Sequence, residues 1–473
     1  MSQMSAIVIG SGPNGLAAAI ALAQAGCDVE VREAASTPGG GARTAAITLP
    51  GFLHDLGSAV HPMAVSSPFF SELPLAAHGL EWIHSPAPLA HALDDGGAVL
   101  LERSVEETAD QFGRDAKRYR KLFRPLAENW NTLAREILRP LARASHHPLL
   151  VGRFGIRAIQ PATLVAKTFR DARARALFAG LAAHSTLKLE APLSSAFAFI
   201  MGAAGHAVGW PIPKRGAQSI TDALCAVLQS LGGRVATDSR VESLDALGAD
   251  YSILCDVMPR QFLSLAGERL PLPFRELLGR YKHAPGVFKV DWALREPIPW
   301  RAQGCFRAAT VHLGGSFEEI AESERAAWEG RAPRNPFVIL VQPSLFDPTR
   351  APESKHTAWA YCHVPNGWRG SALDVIEEQV ERFAPGFQEC ILARAGHGTG
   401  DLERWNANLI GGDISGGAPT LKQFFLRPTW RRYGTPLKNV YLCSSATPPG
   451  GAVHGMCGYW AAQWALRELK SRQ

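Results

Sequence analysis

The sequence contains eight cysteines, but no two of them stand as Cys-x-x-Cys. A redox-active dithiol or a cysteine-based zinc site therefore has no support; we predict no metal site and expect reduced, buried thiols in a cytoplasmic protein. There is also no run of about 18 apolar residues free of charge, so no transmembrane helix is predicted. Because no basic segment precedes an apolar core at the N-terminus, we expect no secretory signal.

Charge of one sign is nowhere concentrated. The 473 residues carry a formal net charge of +6, and 46% of them are hydrophobic, which is ordinary globular composition with enough length for two domains. Lysine and arginine are scattered, and no basic module with interleaved aromatic residues is present, so nucleic-acid binding is not expected. The mild positive balance favours anionic groups such as a cofactor pyrophosphate or lipid headgroups.

The first fifty residues predict a strand, a helix and a second strand. Ala6–Gly10 is apolar, Pro13–Ala25 is rich in alanine and leucine with its proline in the first turn, and Asp28–Glu33 alternates polar and apolar side chains. A Gly-x-Gly-x-x-Gly pattern joins the first strand to the helix. This arrangement is typical of a dinucleotide-binding βαβ unit.

Each part of this motif has a physical role. The first glycine permits a tight turn, the second lets a pyrophosphate approach the backbone, and the third lets the helix pack closely on the strand. The helix N-terminus favours the negative charge of the pyrophosphate, and an acid closing the second strand accepts hydrogen bonds from an adenosine ribose. The residues predicted to hold the nucleotide here are Gly10, Gly12, Pro13, Asn14, Gly15 and Glu33.

A second glycine-rich segment follows the βαβ unit, as Pro-Gly-Gly-Gly-Ala-Arg-Thr from residue 38 to residue 44. Such glycines let the backbone lie against a cofactor, and an arginine can serve its pyrophosphate. The segment resembles the Gly-Gly-x-x-Arg-Thr segment of flavoproteins, which plain NAD dehydrogenases lack, so the resemblance favours FAD. The predicted cofactor-binding residues are Gly40, Gly41, Arg43 and Thr44.

A third glycine turn lies near the C-terminus, between a predicted strand and the apolar helix Gly458–Leu469. A helix N-terminus aimed at a flavin stabilises the negative charge that the reduced ring carries near N1 and the C2 carbonyl. Packing of the helix alone does not explain the glycines of the turn. We therefore predict that Gly451, Gly455 and Met456 contact the cofactor.

These motifs, with the segments 206–216 and 408–417, resemble the phytoene desaturase/carotenoid isomerase branch of the FAD-dependent amine-oxidase superfamily. Within that branch the chain is similar to the group called pyridine nucleotide-disulphide oxidoreductase domain-containing protein 2. The resemblance covers essentially the whole chain. It also implies that the backbone of Val241 contacts the adenine. Arg215 stands where the family usually has glycine.

The resemblance implies an α/β fold with two domains. A discontinuous, Rossmann-like FAD-binding domain is expected over residues 1–65, 205–260 and 425–473. An α+β substrate-binding domain, with helices over an antiparallel sheet, is expected over residues 66–204 and 261–424.

Three further stretches are predicted to be strands. Phe288–Leu294 alternates apolar side chains with Lys289, Asp291 and Ala293, which suggests a strand of an antiparallel sheet. Val235–Leu244 and Tyr251–Asp256 also have strand character.

The resemblance implies an FAD-dependent oxidoreductase of the desaturase, isomerase or saturase type, which transfers hydride between flavin N5 and C–C or C=C bonds of an apolar, polyene- or isoprenoid-like substrate. No second glycine motif follows a strand, so we expect an external electron acceptor such as oxygen or a quinone. The catalytic residues are not identified by the sequence. His61, His206 and His454 are candidates for proton transfer, but a histidine beside a glycine turn more often supports the backbone.

Two other functions stay open. An amine oxidase has the same fold, with Tyr459 and Trp460 as an aromatic cage, although aromatic residues at helical spacing are more often core. A non-catalytic lipid or prenyl carrier is the other, but it needs no pyrophosphate site. Peripheral membrane contact is a further hypothesis: the apolar stretch Pro148–Thr168 with scattered arginines suits interfacial docking, and a helix covering the substrate cavity is its alternative.

Overall fold

The computed structural model describes residues 5–140, 145–248 and 250–471. The strands are β1 (Ser5–Ile9), β2 (Asp28–Arg32), β3 (Thr44–Ala45), β4 (His54–Asp55), β5 (Trp82–Ile83), β6 (Ala87–Ala92), β7 (Ala98–Leu101), β8 (Ile212–Pro213), β9 (Arg234–Ala236), β10 (Ser252–Cys255), β11 (Gly286–Leu294), β12 (Ala308–Leu313), β13 (Val338–Val341), β14 (His356–Val364), β15 (Ile391–His397) and β16 (Val440–Leu442).

The α-helices are α1 (Pro13–Gln24), α2 (Pro62–Val65), α3 (Val105–Asp110), α4 (Ala116–Glu128), α5 (Trp130–Ile137), α6 (Pro148–Ala158), α7 (Ala162–Ala166), α8 (Ala172–Ala183), α9 (Ser194–Ala207), α10 (Gln218–Ser230), α11 (Pro259–Ala266), α12 (Leu272–Gly279), α13 (Phe317–Trp328), α14 (Leu373–Phe383), α15 (Phe387–Cys390), α16 (Thr399–Trp405), α17 (Leu421–Leu426) and α18 (Met456–Lys470).

A five-stranded parallel sheet, in the order β16-β10-β1-β2-β9, forms the nucleotide-binding half. Its central strands are apolar because helices cover both faces, and Val8, Val29 and Val31 are inaccessible to solvent. The strands come from three distant parts of the chain, which lie inside the ranges predicted for the FAD-binding domain. The predicted α/β fold class is confirmed, whereas the exact domain boundaries stay a prediction.

A seven-stranded sheet, in the order β15-β11-β14-β13-β12-β6-β7, forms the second half. The expectation of an antiparallel sheet is correct except at one pair, since β12 and β6 run parallel. Helices α4, α8 and α9 pack on one another and over β6 and β7. Their shared core is aromatic, with Phe123 and Phe199 fully buried. This helical layer over the sheet is the architecture predicted for the substrate-binding half.

The predicted strand Phe288–Leu294 lies within β11, which is buried on both faces. All nine of its residues are buried, including Lys289 and Asp291. The strand is paired on both sides, with β14 and β15, and its polar face looks toward β4 rather than toward solvent. Alternation therefore separates an apolar face from a buried polar face, which the sequence pattern alone does not distinguish from exposure.

The predicted strand Val235–Leu244 is also wrong over most of its length. Pairing ends after β9, and Asp238 adopts a left-handed conformation with φ of 50°. The amides of Asp238 and Ser239 then donate to the carbonyls of Ala35 and Glu33, so this stretch runs beside the end of β2. Leu244 begins a short 3-10 turn. A non-glycine residue at positive φ breaks the extended conformation that strand propensity predicts.

Helices α1 and α18 approach each other at backbone contact. A Cβ added at Gly458 would lie 1.7 Å from the carbonyl oxygen of Asn14, and one added at Gly15 would lie 2.1 Å from the carbonyl oxygen of Gly10. Helix α1 is thus fixed between the turn after β1 on one side and α18 on the other. Among the described residues, no helix is both long enough and apolar enough to cross a membrane.

We predict that Gly458→Ala lowers the free energy of unfolding by about 2 kcal/mol, because the methyl group forces α1 and α18 apart. The matched control is Gly152→Ala in α6, where an added Cβ meets nothing within 4 Å. There the change should be neutral or stabilising by up to about 1 kcal/mol, since alanine is the better helix former. Urea unfolding of both variants measures this, and equal effects would contradict the prediction.

Candidate cofactor site and its buried charged cluster

The first glycine turn is closed by a carboxylate that the sequence analysis did not select. Gly10 has φ of 97°, and Gly12 caps the N-terminus of α1. The amide of Gly15 donates to Oδ2 of Asp256 at 2.9 Å, and a Cβ added at Gly12 would lie 2.7 Å from the same oxygen. Asp256 directly follows β10, next to β1 in the parallel sheet. The only signal for Asp256 in the sequence is its position at the end of the predicted strand Tyr251–Asp256.

Asp256 is buried beside this turn, and its environment favours the neutral form. Burial raises the pKa of Asp256 to about 7, with the charge of Glu33 acting in the same direction and the Gly15 amide opposing them. A carboxyl with this pKa is close to half-protonated at neutral pH.

Glu33 joins the pieces of the nucleotide site. Its Oε2 accepts from the amide of Ser11 at 2.9 Å and from the Ser11 hydroxyl at 2.6 Å, while Oε1 accepts from the amide of Ala35 at 2.9 Å. The hydroxyl of Ser11 in turn accepts from the amide of Gly39 at 3.2 Å. Oε1 keeps a second lone pair, so Glu33 can still accept a bond from a ribose hydroxyl.

The second glycine segment lies against the first. A Cβ added at Gly40 would be 3.1 Å from Cα of Gly12. Arg43 donates to the carbonyl of Gly40 at 3.0 Å and to that of Trp405 at 2.5 Å, so it fixes the loop with two of its nitrogens. An added Cβ at Gly41 meets nothing within 4 Å, which leaves open space on this side of the backbone.

Thr44 ends the same segment and holds it to α10 and β4. Its hydroxyl donates to Oδ1 of Asp55 at 2.7 Å and accepts from the amide of Gln218 at 3.1 Å. Just before α10, Arg215 has φ of 66°, a conformation that favours glycine, which agrees with its standing at a family glycine position.

The C-terminal glycine turn meets the first one. A Cβ added at Gly451 would lie 2.3 Å from the carbonyl oxygen of Ser415, and Gly455, with φ of 69°, is wedged between Ala17 and Phe70. Met456 begins α18. These contacts place the start of α18 beside the start of α1.

The N-termini of α1 and α18 therefore lie side by side, with Asn14 and Gly458 in contact. Each helix end carries a partial positive charge, so two adjacent ends favour an anion between or above them. Oδ1 of Asn14 is buried and has no hydrogen-bond partner in the described part of the chain. Both observations fit a bound dinucleotide.

Val241 lies beyond β9, three residues after the contact between the Asp238 amide and Ala35. Its side chain packs on a cluster that includes Ile7 and Ile9. The structure thus brings Val241 to the same edge of the parallel sheet as Glu33, where an adenosine would lie.

The three candidate histidines have different surroundings. Nε2 of His206 is 2.8 Å from the Tyr119 hydroxyl and Nδ1 is 2.9 Å from the carbonyl oxygen of Glu102, within the helical layer. Nδ1 of His454 accepts from the amide of Met456 at 3.0 Å and so supports the start of α18. His61 is buried, and neither ring nitrogen has a partner among the described residues. Burial lowers the pKa of each histidine to about 4, so all three are neutral at physiological pH.

A buried charged cluster on β11 was missed. Nζ of Lys289 donates to Oδ1 of Asp291 at 2.5 Å and lies 4.9 Å from the ring centroid of Trp359. Asp291 is also 3.5 Å from Nδ1 of His54 and 3.6 Å from Nε2 of His397. Burial raises the pKa of Asp291 to about 6 and lowers those of His54 and His397 to about 3 and about 4.

The cluster adjoins the second glycine segment at two points. β4, which carries His54 and Asp55, pairs with β3, and Asp55 binds both Thr44 and the buried Arg350, the latter at 2.6 Å. On the other side His397 contacts Trp405, with ring centroids 4.2 Å apart, and the carbonyl of Trp405 receives the Arg43 bond. Groups with shifted pKa values that cluster beside a binding site are candidates for proton transfer.

The chain is similar to several known proteins. Residues 8–73 match the family described as an NAD(P)-binding Rossmann-like domain. The chain is 24% identical to pyridine nucleotide-disulfide oxidoreductase domain-containing protein 2 of Rattus norvegicus, over 99% of this chain and 94% of that protein. It is 27% identical to phytoene dehydrogenase of Streptomyces griseus, over 80% of this chain and 76% of that protein.

Two solved structures share the fold. An oxidoreductase from Methanosarcina mazei has a TM-score of 0.63 and 16% identity, over 98% of this chain and 100% of that one. Putrescine oxidase bound to putrescine has a TM-score of 0.62 and 17% identity, over 99% of each chain. At these identities the likeness shows the fold alone, which is that of the flavin-dependent amine oxidases.

We predict that Asp256→Asn removes a pH dependence of stability. Because folding raises the pKa of Asp256, the wild type is stabilised while this carboxyl is neutral and loses that stability as the pH rises from about 4 through about 7. The variant should therefore gain on the wild type as the pH rises, by about 4 kcal/mol at pH 8.

Urea unfolding of the cofactor-free protein at several pH values measures this difference. Asp245→Asn, at a surface carboxylate, is the control and should follow the wild-type profile. Parallel profiles for Asp256→Asn and the wild type would show that folding does not raise the pKa of Asp256.

Proposed function

We propose that this chain, an oxidoreductase of the amine-oxidase-like flavoprotein superfamily, binds FAD and acts on C–C or C=C bonds of an apolar, polyene- or isoprenoid-like substrate. The reaction is a desaturation, an isomerisation or a saturation. The observation that carries the cofactor assignment is the meeting of two helix N-termini at glycine turns, beside the unpartnered Oδ1 of Asn14.

The residues present fit FAD along its length. The turn from Gly10 through Gly12 to Gly15 would bring the pyrophosphate against the backbone at the N-terminus of α1, and Oδ1 of Asn14 would accept from a donor group of the cofactor. Glu33 would accept from the adenosine ribose, with Val241 beside the adenine. Gly40 and Gly41 would lie along the cofactor with Arg43 and Thr44 fixing their loop, and Gly451, Gly455 and Met456 would face the flavin end. FAD supplies a hydride acceptor and donor at N5 when bound.

An apolar substrate is supported by the second half of the molecule. The helical layer formed by α4, α8 and α9 has a core of aromatic and aliphatic side chains, and the three histidines nearest the glycine turns and that layer are neutral. A relative that matches over most of the chain is named a phytoene dehydrogenase. A hydrocarbon is bound by burial of its apolar surface, for which an apolar helical layer is suited.

We propose that Lys289 and Asp291 hold and move the proton of this reaction. Lys289 and Asp291 form a charged pair that is buried next to the second glycine segment. Nδ1 of His54 and Nε2 of His397 lie 3.5 Å and 3.6 Å from Asp291, and neither nitrogen has a hydrogen-bond partner in the described structure. At physiological pH a carboxyl of pKa about 6 is mostly ionised, so Asp291 can accept a proton, and the ammonium group of Lys289, whose pKa burial lowers, can donate one.

The electron acceptor would be external, either oxygen or a quinone, because the sequence has no second nucleotide motif. All eight cysteines are free, which agrees with the cytoplasmic location predicted from the sequence.

The first test is the absorption spectrum of the purified protein, before and after denaturation, with mass identification of any released compound. We expect flavin bands and released FAD. Gly12→Val should lose the flavin, because its side chain fills the space over the helix N-terminus, whereas Gly152→Ala should keep it. Absence of flavin in the wild type, even after incubation with FAD, would instead favour a lipid or prenyl carrier.

Lys289→Met should keep FAD but slow anaerobic bleaching of the flavin band by a polyene substrate by about a hundredfold. Lys117→Met, at an exposed lysine of α4, is the control and should bleach at the wild-type rate. A wild type that reacts with simple amines and releases peroxide, but not with lycopene-like polyenes or prenyl lipids, would establish an amine oxidase instead. Equal bleaching rates for Lys289→Met and the control would remove the pair from the mechanism.

A further inference from the structure

The segment from α17 to Trp430 has its amphipathic pattern inverted. Its large apolar side chains face solvent, and the most exposed are Phe425 and Trp430, at 58% and 65%. The complete exposed set is Leu421, Phe424, Phe425, Leu426 and Trp430, which we call the aromatic ridge. A soluble surface rarely exposes so many adjacent large apolar groups without a partner.

Two polar side chains of the same segment, those of Gln423 and Arg427, point inward, whereas Lys422 is exposed. Buried Gln423 accepts from the amide of Lys282 at 2.6 Å and donates to the carbonyls of Lys282 and Ala418 at 3.0 Å and 2.8 Å. An ordinary surface helix buries its phenylalanines against the core and exposes its glutamine. Here the bonds of Gln423 fix the opposite orientation.

Arg427 anchors the other end of the segment. It is buried and donates to the carbonyls of Gly416 at 2.7 Å and Ser445 at 3.1 Å, and to the Tyr281 hydroxyl at 3.1 Å. The aromatic ridge is therefore held on a rigid base next to the C-terminal glycine turn. Its exposure is a fixed feature of the fold.

The surroundings of the ridge are positively charged. No aspartate or glutamate occurs in the sequence between Asp413 and Glu468. Lys422 and Arg431 lie within or beside the ridge, and Lys282 adjoins it through Gln423. None of these three is in an ion pair with a carboxylate in the part of the chain that the structure describes, and Arg431 stacks on Trp430 at 4.8 Å.

We propose that the aromatic ridge docks the protein on the surface of an anionic phospholipid bilayer. Aromatic and leucine side chains enter the boundary between headgroups and acyl chains, while unpaired lysine and arginine side chains meet the lipid phosphates. A second copy of the chain is a poor occupant, because a two-fold contact would bring Lys422 and Arg431 against their own equivalents.

This surface differs from the stretch that sequence reasoning selected. In α6 the side chains of Leu149 and Ile156 are exposed, whereas Phe154 and Ala158 are buried against the helical layer. That helix has the ordinary pattern of one packed face and one outward face, and it lacks aromatic residues outside. Helix α6 is the matched comparison for the experiment below. The membrane contact that the sequence suggests for Pro148–Thr168 stays a prediction.

The test is flotation of the purified full-length protein with vesicles of phosphatidylcholine alone and of phosphatidylcholine with phosphatidylglycerol. We expect the wild type to bind the mixed vesicles. Phe425→Ser with Trp430→Ser should weaken binding by about a hundredfold, since two large apolar groups no longer enter the bilayer. Lys422→Glu with Arg431→Glu should remove the preference for phosphatidylglycerol.

The comparison variant is Leu149→Ser with Ile156→Ser, which should bind as the wild type does. Circular dichroism and flavin content report that each variant is folded, and they are expected to be unchanged because the altered side chains are exposed. Loss of binding in the α6 variant alone, or no binding by the wild type, would overturn the proposal. So would a wild-type dimer in light scattering that Phe425→Ser converts to a monomer.

Discussion

The contact between the backbones of α1 and α18 is the constraint on which the nucleotide-binding half depends. Gly458 lies so close to Asn14 that no side chain fits between them, and Gly15 lies equally close to the turn after β1. Because α1 is held on both sides, the glycine turn before it and the glycine turn before α18 are brought to one place. Two helix N-termini then share one site for an anion. Neither motif would create that site alone.

Side-chain bonds join the remaining pieces to this centre. Ser11 links Glu33 to Gly39, so the end of β2 and the second glycine segment are held to the first turn. Thr44 links the same segment to Asp55, and Asp55 binds the buried Arg350. Hydrogen bonds thus join the nucleotide turn to the second glycine segment and that segment to the Asp55–Arg350 pair, which lies beside His54 of the β11 cluster. Buried polar groups carry a large cost unless paired, so these bonds specify the relative placement of the two halves.

At both the aromatic ridge and the cluster around Lys289, contacts with other parts of the chain decide which side chains are buried. On β11 a lysine and an aspartate are inside because a partner charge and two neighbouring strands surround them. At the ridge, phenylalanine and tryptophan are outside because Gln423 and Arg427 make the inward contacts. Composition does not decide which face of an element is covered. The pairing partners supplied by the rest of the chain decide it.

The sequence by itself determined the first βαβ unit, the glycine turns and the α/β class, because those depend on local spacing: a glycine where the backbone must turn, an acid at a strand end, an apolar run where helices cover both faces. It was wrong for Val235–Leu244, and it selected neither Asp256 nor the buried cluster of Lys289 and Asp291. Only the tertiary structure decided these, since the Asp256 carboxylate meets Gly15 across 241 positions of chain and Asp291 meets His54 across two sheets. Such contacts are fixed by how distant elements pack, and a linear pattern carries no information on which of its faces another segment will cover.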